Sequence, residues 1–327
     1  MRFSKTLAVA AGASTANAQR PADTPICDYY TTALLKENTA DNQATFLTLL
    51  VNTVVIGNYT MPNVGVSVAG ILAKGTYKGN DVNLLPYFNG ELASSNRGGD
   101  AGVSINFLDD GGAEPLMKNK PSNTETSQQY FLLTHLYQFF GSLLGCSMQG
   151  MAGFDAYTAD PSMYDVHKFM ALNTTEVGYF IEQVGLAAAS FGVADTDVTA
   201  VGTALNTLFG YRCAPPATAV KAQGPQLQSI CITEDCPIAP MAVCDKYEAV
   251  VKPTLVSMSM SASASATTTC SSSSSRMATA TGTAGMPMGT SSMTVGGSST
   301  TMIPTAGAAA NGLSLAAVAG GIAAFML

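Results

Sequence analysis

Residues 162–193 read SMYDVHKFMALNTTEVGYFIEQVGLAAASFGV. Met163, Val166, His167 and Met170 fall at i, i+3, i+4 and i+7, which puts His167 on the apolar stripe of a short helix with its imidazole pointing inward. His167 is one of only 2 histidines in 327 residues, and a buried imidazole needs a partner. After the cap signal Thr174-Thr175-Glu176, apolar residues recur at Val177, Phe180, Ile181, Val184, Ala188 and Phe191, predicting an amphipathic helix that ends at Gly192. A further helix follows, with Val198, Val201, Leu205 and Leu208 on one face.

Working outward, helical periodicity occupies Ser127 to Gly145, where Leu132, Leu133, Leu136, Phe140, Leu143 and Leu144 share a face and His135 lies at its edge. A flexible link from Gly145-Cys146 to Tyr157 joins this helix to the His167 segment. Asp28 to Lys36 is a short helical pattern. Asn42 to Ile56 is apolar nearly all round (Phe46, Leu47, Leu49, Leu50, Val51, Val54, Val55) and is expected to be buried on most sides. Residues 61–124 differ, with Gly- and Asn-rich turn signals and short alternating runs such as Gly102 to Leu108, and they read as a loop-and-hairpin insertion. Asp109 and Asp110 precede Gly111-Gly112 and are assigned to a turn rather than to calcium. The fold class is mostly α, a helical bundle carrying a long insertion.

Tyr157-Thr158, Ser162-Met163, His167 four residues after that Met, Val177 ten beyond the His, and Phe191-Gly192-Val193 at the helix end together resemble the second half of the truncated hemoglobins. In that family a Tyr-Thr-Gly-x-x-Met-x-x-x-His stretch leads to the proximal histidine and the next helix ends in Leu-Gly-Val. The likeness continues through Asp195 to Leu208. Upstream, Phe139-Phe140-Gly141-Ser142-Leu143-Leu144-Gly145 resembles the family's distal helix, with Cys146 in place of its second Gly. The helix over Asn42 to Ile56 resembles the one that usually supplies a distal tyrosine, but this chain has Val51 and Asn52 there, and its insertion is longer than the family's connection.

The resemblance implies a globin-like bundle in which His167 is the axial ligand of haem iron. Neutral imidazole suits iron, and apolar walls keep water from it. Leu136, Phe140, Leu143, Val166, Met170, Phe180 and Val184 are candidates for those walls, with ordinary core packing as the alternative for each. His135 is either a distal donor or sixth ligand, or an edge residue facing solvent. The implied function is to bind a diatomic gas or to hold haem. The alternative is a cofactor-free structural or interaction protein with a globin-like core. A hydrolase has little support, because no Gly-x-Ser-x-Gly occurs and 2 histidines leave few options for a triad; peroxidase-like turnover by bound haem stays open, although no distal Arg and His pair is evident.

The ends of the chain point to the cell surface. Residues 1–18 have a basic start, an apolar run from Thr6 to Ala13 and a small-x-small site at Ala16-Asn17-Ala18, the pattern of a secretory signal peptide. Residues 257–305 collapse to Ser, Thr, Met, Gly and Ala with Arg276 as the one charge, and read as a glycosylated stalk. Residues 312–327 are uncharged and follow small residues, which fits a GPI-anchor signal, with a retained transmembrane tail as the alternative. The folded part is therefore expected over residues 19–253, on the extracellular face of the plasma membrane or cell wall.

Six of the 7 cysteines lie in that part, Cys27, Cys146, Cys213, Cys231, Cys236 and Cys244, the last four in a Cys-rich end at 213–244. An even count in a secreted domain predicts three disulfides of open pairing, in preference to a metal site. Asn58 and Asn173 head N-glycosylation sequons and are expected to be exposed. A net charge of −7 with 15 scattered Lys plus Arg gives no basic patch, which argues against nucleic acid as a partner.

Overall fold

The apolar periods become helices in a computed structural model that describes residues 19–61 and 63–256. In order they are α1 (Ile26–Leu35) and α2 (Ala40–Ile56), the paired strands β1 (Gly75–Tyr77) with β2 (Asn80–Val82) and β3 (Asn89–Ser95) with β4 (Val103–Asn106), then α3 (Ala113–Leu116), α4 (Gln128–Leu143), α5 (Met163–His167), α6 (Thr174–Ser190) and α7 (Asp195–Phe209). Both sheets are two-stranded and antiparallel, and both lie in the insertion. The class is thus a helical core with two small sheets, more mixed than an all-helical reading. No helix among the described residues is long and apolar enough to cross a membrane. The expected signal peptide, stalk, anchor tail and Cys270 lie outside the described residues.

Helix α2 is the central element, as its all-round apolar pattern requires. Phe46, Leu47, Leu50, Val51, Val54 and Val55 are all buried, and α1, α4 and α6 pack around it. Its polar residues are satisfied inside: Tyr137 Oη donates to Asn52 Oδ1 at 2.6 Å, and Asn52 Nδ2 donates to the Leu116 carbonyl at 3.1 Å. Asn52 therefore fastens the insertion to the core. The Thr39 side chain caps the start of α2, accepting from the Asn42 N–H, and Gly57 (φ 82°) ends it.

The insertion is anchored where α2 runs out of partners. The Val54 and Val55 carbonyls, in the last turn and so without intrahelical donors, accept from the N–H groups of Ile71 and Leu72 at 2.8 and 3.1 Å. This close approach needs glycine. A Cβ on Gly70 would lie 2.3 Å from the Gly57 nitrogen, and Gly70 has φ 82°. From the other side Gln183 and Tyr179 of α6 bond the Gly70 backbone.

Helix α4 begins at Ser127, whose hydroxyl accepts from the Tyr130 N–H, and the Asp109 carboxylate accepts from the N–H groups of Gln128 and Gln129. Asp110 accepts from Thr124, so both aspartates tie the end of the insertion to α4. The connection expected to be a flexible link is a folded turn, bridged between Met151 and Phe154, with Phe154 buried against Gly141. Helix α6 starts with a full capping box on Asn173 and Glu176, one residue earlier than the Thr174 signal suggested.

Three disulfides use the six expected cysteines, in the pairs Cys27–Cys146, Cys213–Cys244 and Cys231–Cys236. The first ties α1 to the turn that follows α4. The other two shape the tail, which returns across the core: the Ile230 and Cys231 N–H groups donate to the Phe209 carbonyl. At the far end Ala93 and Val256 donate to Thr254 and Glu91, so residues 254–256 lie along β3.

Candidate functional site

Helix α5 has five residues, too few to hold a side chain in place unaided. The tail does it. The Ser162 hydroxyl accepts from the Asp165 N–H and donates to the Leu227 carbonyl, and the Tyr164 N–H donates to the same carbonyl. Buried Gln228 donates to the Pro161 carbonyl at 2.9 Å, and its Oε1 faces the Met163 N–H at 3.4 Å. These contacts set the pose of His167 at the end of α5.

Nδ1 of His167 lies 2.7 Å from the Met163 carbonyl. A carbonyl oxygen only accepts, so Nδ1 carries the proton and Nε2 of the neutral ring keeps a free lone pair. Burial pushes the His167 pKa below the ordinary imidazole value, against a smaller opposing effect of the Met163 bond. The ring is therefore neutral at pH near 7. His167 retains partial exposure although protein surrounds it, as expected for a side chain that lines a cavity.

That cavity has a volume of about 130 Å³, is partly open to solvent, and is walled almost wholly by carbon. Helix α2 contributes Val51, Val54 and Val55; α4 contributes Leu132, Leu136, Phe139 and Phe140. Beside His167 stand Met163, Met170 and Leu172, and α6 adds Glu176, Val177 and Phe180. The insertion closes a side with Ile71, Leu84 and Phe88, while Phe209 and Ile230 complete the wall.

Of the sequence-predicted wall, Leu136, Phe140, Met170 and Phe180 are at the cavity with His167. Val166, Leu143 and Val184 are not; they pack into the surrounding core. His135 is not among the lining residues. Its ring lies edge-on to Phe131 at 4.0 Å and near Tyr157 at 6.1 Å, with the Arg97 guanidinium over the Phe131 ring at 4.2 Å. Burial and then the Arg97 charge hold its pKa down. Asn58 is exposed as expected, whereas Asn173 is only half-exposed because it serves as the helix cap.

Glu176 was legible only as a capping residue, yet it is the other ionisable group on the cavity wall. Its carboxylate accepts from Tyr87 Oη at 2.9 Å and from the Asn173 N–H at 3.0 Å. Burial, the largest effect, raises its pKa, and these two bonds oppose it. The insertion residues Ile71, Leu84 and Phe88 carry no periodic signal that would have marked them.

A bare Nε2 in an apolar wall suits a Lewis acid such as haem iron, and the Met163 carbonyl behind Nδ1 is the outer partner that orients a ligating imidazole. The volume is small for a porphyrin, since pockets for drug-sized ligands begin at about 300 Å³. Haem would need the open side to widen. Among the described residues no cluster of three or more His, Cys, Asp or Glu is placed to hold a metal ion, which does not bear on ligation through a single histidine. No family model matches the chain, and no curated protein and no solved structure matches it.

Proposed function

We propose that the chain binds haem through Nε2 of His167, as a globin-like protein that holds haem or a diatomic gas at the cell surface. One observation carries this reading: a neutral imidazole whose Nδ1–H is committed to the Met163 carbonyl and whose Nε2 has no hydrogen-bond partner among the described residues. The likeness of residues 157–208 to the truncated hemoglobins supports it. In this reading Met163 orients His167 and raises its basicity, Ser162 and Gln228 hold α5, and the walls from α2, α4 and α6 exclude water. Haem, when bound, would supply the iron that takes the gas.

Haem added to the purified chain should show a Soret band shifted and sharpened relative to that of free haem. His167→Ala should abolish binding or weaken it at least tenfold, since the iron loses its one proximal nitrogen, whereas His135→Ala should leave haem bound. An unchanged Soret band and affinity in His167→Ala would defeat the reading. The small volume favours a second reading, a cofactor-free surface protein with a globin-like core; a Soret band left as that of free haem by the intact chain would select it. Surface attachment rests on the leader and tail residues, and release of the chain from cells by a GPI-specific phospholipase is the expected outcome; an intact Leu327 in the mature chain would refute it.

A further inference from the structure

We propose that the haem-free cavity is a binding site for a small phenol, a single aromatic ring whose hydroxyl donates to Nε2 of His167. The inference goes beyond the haem reading and does not depend on it, because it uses the cavity at its present volume. An apolar cavity of about 150 Å³ takes up benzene. The volume here, about 130 Å³, is of the same order, so it accommodates one ring.

The polarity of the wall then selects the ring's substituent. His167 and Glu176 are the polar side chains on the lining; the others are aliphatic, aromatic or thioether. Both carboxylate oxygens of Glu176 are already engaged, by Tyr87 Oη and the Asn173 N–H. His167 Nδ1 is engaged by the Met163 carbonyl. What remains is one acceptor with no partner, Nε2, beside a carboxylate already held by two donors, on an otherwise carbon surface. A benign ligand must bring one donor and little else polar. A second polar group would be stripped of water with nothing to bond.

Phenol and toluene make the test sharp, since they differ by a hydroxyl in place of a methyl of similar size. In an apolar cavity without an acceptor toluene is favoured, because the phenol hydroxyl loses its water and gains nothing. Here the order should reverse. Calorimetric titration of the full chain produced without haem, showing no Soret band, should find phenol bound at least fivefold tighter than toluene, the size of one net hydrogen bond. His167→Leu should restore the preference for toluene, and added haem should displace phenol if the haem reading also holds. Toluene equal to or tighter than phenol in the intact chain, or no binding of either, would overturn the proposal whether or not the variant folds. Phenol binding without any haem binding would support the site and reject the haem reading, so the two failures are separable.

Discussion

At the scale of the residue, the two histidines are tuned alike by burial but placed for different ends. His167 faces a cavity with a free Nε2, while His135 is wedged between Phe131 and Tyr157 under the field of Arg97. Both have folded-state pKa values below that of an unfolded histidine, about 6.5. Above that pH both states are neutral and the shift has no effect. As pH falls through 6.5 the unfolded chain takes up protons first, so stability is lost until the folded pKa is reached. Glu176 and Glu182 act in the opposite sense: with raised folded pKa values they add stability as pH falls. A comparison of chains isolates the histidine effect. Relative to the intact chain, His135→Phe should lose less stability between about pH 7.5 and 5.5, by a few tenths to about 1 kcal/mol. Denaturant midpoints at the two pH values check it; an equal loss in both chains would remove His135 from the account.

At the scale of the element, the informative case is the junction of α5 and α6. Asn173 caps α6 while Glu176 reaches back to its N–H, and the Cys231–Cys236 loop grips the same turn through Asp235 bonds to the Thr174 N–H and hydroxyl. The junction therefore joins His167 to Glu176 by a short, well-bonded path. Asn173→Ala should cost about 1 kcal/mol in unfolding free energy through the lost cap. Thr175→Ala removes the same sequon and leaves the cap in place, so it should cost much less. If both cost the same, the effect belongs to a glycan at Asn173 and not to the cap.

At the scale of the molecule, the helical core is closed by segments remote in sequence. Cys27–Cys146 spans 119 residues. Buried Asp197 on α7 receives the Arg20 guanidinium at 2.9 Å and Tyr30 Oη at 2.8 Å. Burial, the largest effect, lifts the Tyr30 pKa to about 12. Replacing Cys27 and Cys146 together by Ser should destabilise the fold by about 2–4 kcal/mol, because the unfolded chain regains the freedom of a long loop. Thermal melting of the double variant measures it; an unchanged midpoint would mean that α1 is held by packing and by Asp197 alone.

What the sequence determined by itself are the features written in neighbouring residues. The 3.6-residue period located α2, α4, α6 and α7, the spacing of Met163 to His167 put the imidazole on an inward face although α5 ends at His167 and leaves Met170 in the turn beyond it, and the even cysteine count announced three disulfides. Only the tertiary structure decided which walls share a cavity, that Val166 and Val184 pack elsewhere, that His135 stands apart from the site, that the insertion supplies Ile71, Leu84 and Phe88, and that the tail positions α5 through Gln228. The physical reason is range. Helix periods and caps arise from contacts three or four residues apart, which a sequence displays directly. The cavity is closed by loops whose positions follow from long-range hydrogen bonds, such as Ile71 to Val54 and Ile230 to Phe209, and no local pattern encodes which distant carbonyl will need a donor.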